Sequence, residues 1–230
     1  MIEPEKIACT PHEVDPKGFN TNVNLPHGLT TKHLFGAMKS FTDFLGFINV
    51  QLYSKSIERL EVMLMPANFS SIVGEFMSSS IPKHCPTLVK NQYHNGHPDM
   101  IVKGQFNGDA VQHADEGIEI KASRYLKSWQ GHNPEDTWLM VFVFDSNRPV
   151  DVGKGVEPKP FKFLMVLGAR LVKADWLFAG RSATSRRTIT ASVTKTGYEK
   201  MMANWIYKAP DLTKVETAVV LADPPPAEGE

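Results

Sequence analysis

The sequence predicts an α/β protein in which helices come first and strands follow. Three observations predict this order. Apolar residues recur at helical spacing between residues 30 and 77. Around residues 97–103 and 117–122, apolar residues alternate with polar ones, as on a strand with one buried face. Residues 138–144 form an unbroken apolar run, which is typical of a strand buried on both faces.

The region before the strands begins irregularly. Residues 1–28 are rich in Pro, Asn and Gly and are expected to form an irregular lead-in, whereas residues 29–80 are expected to be helical. Thr30 or Thr31 would cap the first helix, because a threonine hydroxyl accepts a hydrogen bond from a backbone N–H of the first turn. This helix is expected to continue to about Asn49.

Two further helices are expected before the first functional strand. One covers about residues 51–64 and ends before Pro66. The next begins at Asn68, a residue type that often caps helices, and ends at residues 78–82. Its apolar stripe consists of Ile72, Val73, Phe76 and Met77.

Two predicted strands carry the residues that indicate a function. Residues 97–103 place a proline directly before Asp99 at the start of a strand, where its missing N–H is tolerated. On residues 117–122, the period of two places Glu119 and Lys121 together on one face. The polar stretch between the two strands contains a turn signal, so antiparallel pairing would bring Asp99 beside Glu119.

Two acids and a lysine at neighbouring strand ends can hold a magnesium ion beside a scissile phosphate. Magnesium prefers hard oxygen ligands, and the reaction needs a cation near the attacking water or the phosphoryl group. The acid-x-Lys pattern alone is weak evidence. Residues 15–17 and 157–159 also match it, but each has a central proline and no apolar strand around it. The alternative is an ordinary hairpin with a surface ion pair.

This arrangement resembles the PD-(D/E)xK nuclease superfamily, and among its members it is most like the Type II restriction endonucleases. The resemblance rests on Asp99 and on Glu119-x-Lys121, and it covers about residues 70–145. It implies a restriction-endonuclease-like core, a mixed central β-sheet flanked by helices. It also implies Mg²⁺-dependent hydrolysis of DNA phosphodiester bonds and a homodimer. Metal binding is assigned to Asp99 and Glu119, and a catalytic role to Lys121.

The resemblance also assigns two supporting groups. Many members carry a glutamate on the helix before the first catalytic strand, and Glu75 occupies that place here. The alternative for Glu75 is an ordinary solvated helix residue. A backbone carbonyl near Ile120 would complete the metal shell. Lys121 would orient the attacking water, help to deprotonate it or stabilise the developing charge, and the sequence leaves these three roles open.

Two segments are expected to contact DNA. The first, residues 123–133, is polar and follows directly from the catalytic strand. The second lies within the basic region 170–208, where arginines alternate with serines and threonines that can bind phosphates. Arginine can read guanine, and Gln or Asn can read adenine, through paired hydrogen bonds. The alternative is contact with phosphates alone. The candidates are Ser123, Arg124, Gln130, His132, Asn133, Arg181, Arg186 and Arg187.

The remaining elements complete one predicted domain over residues 1–221, with residues 97–145 as its catalytic core. Residues 161–208 are expected to complete the sheet and to contribute to DNA recognition. The expected elements are a loop at 147–160, strands at 161–167 and 187–194, and a helix at 197–207. Residues 222–230 are expected to be a disordered tail.

Composition limits the function classes. The chain has 230 residues, of which 42% are hydrophobic and 22% charged, as in ordinary globular domains. Its zero net charge argues mildly against a nucleic-acid binder. No secretion signal is evident, so we expect a cytoplasmic protein with Cys9 and Cys85 reduced. No Walker A loop, GxGxxG fingerprint or GxSxG elbow is present, which argues against ATP-driven, nicotinamide and serine-hydrolase chemistry.

Double-stranded DNA and a second copy of the chain are the expected partners, with no membrane. A restriction enzyme would also be accompanied genetically by a cognate DNA methyltransferase. The apolar helix face at residues 34–47 forms either the dimer interface or part of the core. A repair or recombination nuclease and a non-catalytic DNA-binding module are the alternative functions. Four residues in a short segment could instead ligate zinc, namely His84, Cys85, His94 and His97.

Overall fold

The structure, a computed structural model, describes residues 3–127, 129–131, 133–178 and 191–212. Its helices are α1 (Pro4–Ala8), α2 (Thr31–Tyr53), α3 (Leu60–Met63), α4 (Pro66–His84), α5 (Pro149–Gly153) and α6 (Lys195–Ala203). Its strands are β1 (Leu88–Lys90), β2 (Met100–Val102), β3 (Ile118–Ser123), β4 (Gln130–Gly131), β5 (Thr137–Asp145), β6 (Lys162–Leu171), β7 (Trp176–Phe178), β8 (Ala191–Val193) and β9 (Trp205–Lys208).

Six strands form a mixed sheet in the order β1-β2-β3-β5-β6-β9. Only the pairing of β3 with β5 is parallel, and every other neighbouring pair in this sheet is antiparallel. A second, three-stranded sheet has the order β4-β8-β7. The prediction of an α/β fold with a mixed central sheet is confirmed.

The central sheet is covered on both faces. On one face, α2 and α4 pack against Ile118, Met140 and Phe142. On the other, Leu139 and Val141 belong to a second apolar cluster that includes residues of α6 and of the small sheet. Because β5 is buried between these two layers, its residues are apolar on both faces rather than alternating.

The expected helix boundaries between the first two helices are wrong. The first helix is capped by Thr30, as predicted, but it continues to Tyr53 instead of ending near Asn49. A turn with Ser56 at positive φ follows, and only the four-residue α3 remains of the helix expected at 51–64. Residues 50–53 contain no Gly or Pro that would end the helix at Asn49, so the first helix continues to Tyr53.

Both expected ends of α4 are also wrong. The helix begins at Pro66 rather than at Asn68, because a proline at the first helical position has no N–H that needs a partner. It continues through Pro82 to His84, where the expected end was at residues 78–82. Proline in a last turn removes one helical hydrogen bond, and the N–H of Cys85, three residues after Pro82, still donates to the Ile81 carbonyl at 2.9 Å.

The region after β5 contains three further differences. The loop expected at 147–160 includes the short helix α5, and the strand expected at 161–167 extends to Leu171. The helix expected at 197–207 ends at Ala203, and the residues after it form β9. Tertiary pairing decides this, because Val166 of β6 pairs with Tyr207 of β9. The described part of the strand expected at 187–194 is β8.

The apolar face of α2 belongs mainly to the core. Leu34, Met38, Phe41 and Leu45 are fully buried against the sheet and α4. Only the end of the proposed interface is open, with Phe47 64% exposed. Core packing, the stronger of the two alternatives, therefore accounts for most of this face. No described helix is long and apolar enough to cross a membrane.

Candidate active site

The hairpin formed by β2 and β3 positions the two predicted acids. Met100 pairs with Ile118 in antiparallel register, so Asp99 lies beside the next residue of β3, Glu119. Oδ2 of Asp99 accepts a hydrogen bond of 2.8 Å from the Ile120 backbone N–H. In a strand, the N–H and C=O of one residue point to the same side. The Ile120 carbonyl therefore also faces Asp99, as the sequence-based assignment requires.

Glu119 lies between Lys121 and His97. Its Oε1 accepts a hydrogen bond of 2.5 Å from Lys121 Nζ, and its Oε2 lies 3.1 Å from Nδ1 of His97. The side chain of Glu119 is only 12% exposed, and that of Lys121 is 31% exposed. Glu119 and Lys121 therefore share one face of β3, as the period of two predicted.

The electrostatics of the two acids differ. Burial and the nearby charge of Glu119 raise the pKa of Asp99 to about 7. Burial alone would raise the pKa of Glu119, but the His97 hydrogen bond and the Lys121 charge outweigh it and lower that pKa to about 2. Burial opposes the charge of Lys121, yet the attraction of Glu119 is stronger and raises the Lys121 pKa. When both acids are ionised they repel each other, and a bound divalent cation would relieve that repulsion.

A polar cleft of about 1040 Å³ opens onto these groups. Its lining includes Asp99, Glu119, Lys121 and Glu75. Glu75 lies on α4, is 67% exposed and forms an ion pair of 2.6 Å with Lys90. It therefore lies at the cleft, where the resemblance places a third acid, although its carboxylate is engaged by Lys90.

The described DNA-contact candidates have different environments. Ser123 is half-buried, and its Oγ accepts a hydrogen bond of 3.0 Å from the Tyr125 backbone N–H. Gln130 is exposed on β4. Asn133 is exposed and lines the cleft with the catalytic candidates. Gln130 and Asn133 are thus accessible to a ligand.

Arg124 does not fit the prediction that it reads a base. Its guanidinium donates to the backbone carbonyls of Ser146 and Asn147 at 2.6 and 3.1 Å. It also lies over the aromatic rings of Phe69 and Phe144. These contacts hold the end of β5 and engage both terminal nitrogens of the guanidinium inside the protein. The sequence placed Arg124 next to the catalytic strand, but it could not show that the side chain turns into the protein.

Four DNA-contact candidates lie outside the described residues. They are His132, Arg181, Arg186 and Arg187. The tail predicted at 222–230 also lies outside them.

The four residues considered for zinc binding are not brought together. Nε2 of His84 lies 3.2 Å from Ser40 Oγ on α2, and Sγ of Cys85 lies 3.2 Å from Thr87 Oγ1. His94 is exposed in the loop that lines the cleft. Of the four, His97 alone contacts the acidic pair formed by Asp99 and Glu119, through the Glu119 carboxylate. Cys9 and Cys85 are both buried thiols outside any disulfide.

Two residues of this region were not identified from the sequence. Glu135 Oε2 lies 3.2 Å from Nε2 of His97, and the ring of His113 stacks on the ring of His97. A signal for Glu135 existed, since it lies two residues before the buried strand β5, the parallel neighbour of β3. His113 lies in the polar connection between β2 and β3 and had no such signal.

Comparison of this chain with protein-family models, with curated proteins and with solved structures finds no match.

Proposed function

We propose that this protein is a magnesium-dependent endonuclease that cleaves double-stranded DNA at specific sequences, in the manner of a Type II restriction enzyme. One observation carries the proposal. Asp99, Glu119 and Lys121 lie together in a polar cleft that is open to a large ligand. An ordinary surface ion pair of Glu119 and Lys121 would not need a half-buried acid beside it, so the position of Asp99 argues against that alternative.

The donor set fits magnesium. The carboxylates of Asp99 and Glu119 and the carbonyl of Ile120 are hard oxygen ligands at neighbouring positions of the hairpin. Oδ2 of Asp99 accepts a hydrogen bond from Ile120, whereas no hydrogen bond between described residues uses Oδ1. When bound, Mg²⁺ would polarise the phosphate and acidify a water molecule.

Lys121 has a narrower role than the sequence allowed. Burial lowers the pKa of Lys121, but the charge and hydrogen bond of Glu119 outweigh it and raise that pKa, which favours the charged ammonium. A charged lysine cannot accept a proton from water. We therefore assign Lys121 the tasks of orienting the nucleophile and stabilising the charge that develops on the phosphoryl oxygens.

The cleft lining suits a phosphate backbone. It contains two amine side chains, two exposed imidazoles and four carboxamides that can donate hydrogen bonds to phosphate oxygens. These residues are Lys90, Lys121, His94, His113, Gln92, Asn95, Gln112 and Asn133. A homodimer would place two such clefts on the two strands of a palindromic site. A cytoplasmic location and a cognate methyltransferase belong to the same proposal.

The test is digestion of unmethylated phage DNA by the purified protein with Mg²⁺. Discrete fragments on a gel are expected from the wild type and from the control Glu157→Ala, which alters the acid-x-Lys match outside the cleft. Asp99→Ala, Glu119→Ala and Lys121→Ala are expected to leave the DNA intact. A smear instead of bands would favour a repair or recombination nuclease. Cleavage by Lys121→Ala within a few-fold of wild type would contradict the site assignment.

A further inference from the structure

A second group of potential metal ligands lies at one side of the cleft. It consists of His97, His113 and Glu135, whose ligand atoms all lie within 4.8 Å of one another. The three residues come from three separate segments of the chain. His97 precedes β2, His113 lies between β2 and β3, and Glu135 precedes β5.

The backbone holds the two histidines side by side. The His97 N–H donates to the Gln112 carbonyl at 3.0 Å, and the Ala114 N–H donates to the His97 carbonyl at 2.9 Å. These bonds form a parallel bridge between His97 and His113. Their rings stack with centroids 5.3 Å apart and planes 20° apart. The proximity of the two imidazoles therefore does not depend on side-chain rotamers alone.

Asn91 fixes the same two segments. Its Nδ2 donates to the carbonyls of Pro98 and Val111, and its Oδ1 accepts from the backbone N–H groups of Tyr93 and Val111. Gly96 allows this close approach, because a Cβ there would lie 2.5 Å from both Asn91 Nδ2 and the Val111 carbonyl oxygen. The loop that carries His97 is thus a built scaffold around a buried amide.

His97 has the environment of a metal-binding histidine. Its Nδ1 lies 3.1 Å from the Glu119 carboxylate. Its Nε2 is buried and has no hydrogen-bond partner among the described residues, although it lies 3.2 Å from Glu135 Oε2. In metal sites, the ring nitrogen that does not bind the ion commonly donates to a carboxylate, which orients the ring. Nε2 then faces Glu135, whose Oε2 lies 3.2 Å away.

We propose that His97, His113 and Glu135 bind a transition-metal ion of the zinc type, at a site separate from the acidic pair. Two imidazoles and one carboxylate are a common zinc ligand set, whereas Mg²⁺ favours oxygen ligands. Three protein ligands leave a coordination position for water or for a phosphate oxygen of DNA. His113 is 59% exposed, so this position is accessible from the cleft.

Such an ion would join three segments that border the cleft. It would also hold His97 in the orientation that contacts Glu119, which makes His97 and Glu135 positioning residues for the acidic pair. The site does not depend on the proposed endonuclease activity. It requires only the three ligands and their scaffold.

Cobalt(II) is the probe for this site, because its visible absorption reports nitrogen ligation and a low coordination number. The full-length protein, freed of metal with a chelator, is titrated with Co²⁺ and then with Zn²⁺. We expect one equivalent of Co²⁺ to bind with visible bands that one equivalent of Zn²⁺ removes. His113→Ala and Glu135→Gln are each expected to weaken binding by at least about tenfold. His94→Ala, in the same loop but outside the group, is the matched control and should bind as the wild type does.

Two further measurements separate this site from the magnesium site. Asp99→Asn is expected to retain Co²⁺ binding, and a large excess of Mg²⁺ should not displace Co²⁺. Circular dichroism of each variant checks that it is folded. Loss of the cobalt bands in Asp99→Asn but not in His113→Ala would place the ion at the acidic pair and overturn the proposal. Wild-type protein without cobalt bands would also overturn it, whatever the result with DNA.

Discussion

Two buried clusters of charge in this protein differ in how completely their members are paired. In the first, the guanidinium of Arg59, only 1% exposed, bonds to Glu61 at 2.7 Å and to Glu5 at 2.9 Å. It also donates to Asn147 Oδ1 and to the Lys159 carbonyl. Every nitrogen of the guanidinium has an acceptor. This cluster joins the N-terminal segment, α3 and the segment after β5.

The second cluster, at the cleft, is unevenly paired. Glu119 contacts both Lys121 and His97, whereas among the described residues Asp99 accepts a hydrogen bond only from the Ile120 N–H, and its pKa is raised to about 7. A complete network stabilises one structure, whereas an incomplete one at a cleft is a common feature of functional sites. The comparison predicts that disrupting the Arg59 cluster costs stability and that disrupting the cleft cluster costs function.

The largest effect is expected for the loss of a metal ligand. Asp99→Ala or Glu119→Ala should lower the cleavage rate at saturating Mg²⁺ by at least about a thousandfold, since the ion stabilises the transition state by several kcal/mol. The rate is measured by single-turnover cleavage of an oligonucleotide duplex. Folding should be retained, and a variant that unfolds at room temperature would show that the cleft cluster is structural after all.

Removal of Arg59 should give the next largest effect, on stability. Arg59→Met leaves buried Glu61 without its cationic partner, and the free energy of unfolding should fall by about 3–5 kcal/mol. Urea denaturation measures this change. The control is Lys39→Ala, which breaks the exposed pair with Asp43 and should cost about 1 kcal/mol or less. If both variants lost the same free energy of unfolding, the buried Arg59 cluster would be no more important for stability than an ordinary ion pair.

Magnesium affinity should depend on pH. Asp99 titrates near pH 7, so at about pH 6 its proton competes with the ion, and at about pH 8 it does not. One competing proton predicts an affinity about tenfold lower at the lower pH. Protonation of His97, whose pKa Glu119 raises against the opposing effect of burial, acts in the same direction. Calorimetric Mg²⁺ titrations at the two pH values test this, and equal affinities would contradict it.

The smallest effect is expected on the stability of the metal-free protein. The folded pKa of Asp99, about 7, lies above its unfolded value, so the stability of the fold declines as pH rises from about 4 to about 7 and stays lower above that. Asp99→Asn should therefore raise the free energy of unfolding by at least about 1 kcal/mol near pH 8, and by less near pH 5. Glu119 does not confuse this test, because its lowered pKa matters only below about pH 4.5. An Asn variant that is less stable at pH 8 would contradict the proposed repulsion.

Comparison of two acid-x-Lys motifs shows what could be predicted from the sequence. Residues 119–121 lie on a strand, where the period of two places Glu119 and Lys121 on one face in contact. At 157–159 there is no strand, and Lys159 pairs instead with Asp145 at 2.6 Å. Strand alternation is a local property, so the sequence distinguished these two matches correctly.

By itself, the sequence determined which residues share a strand face and which segments are buried on both sides. It therefore predicted the β2–β3 hairpin, the apolar strand β5 and the pairing of Asp99 with β3, because each depends on local periodicity. Helix ends were harder to predict from the sequence. Contacts with the rest of the chain decide whether a turn, such as the one at Ser56, interrupts a helix.

Only the tertiary structure decided where long side chains are directed and which distant segments meet. It turned Arg124 towards the carbonyls of Ser146 and Asn147 and brought Glu135 and His113 to His97. These outcomes depend on contacts between residues far apart in the chain, and local sequence spacing does not determine such contacts. The acidic pair was therefore visible in the sequence, whereas the neighbouring histidine–glutamate group became visible only when the chain was folded.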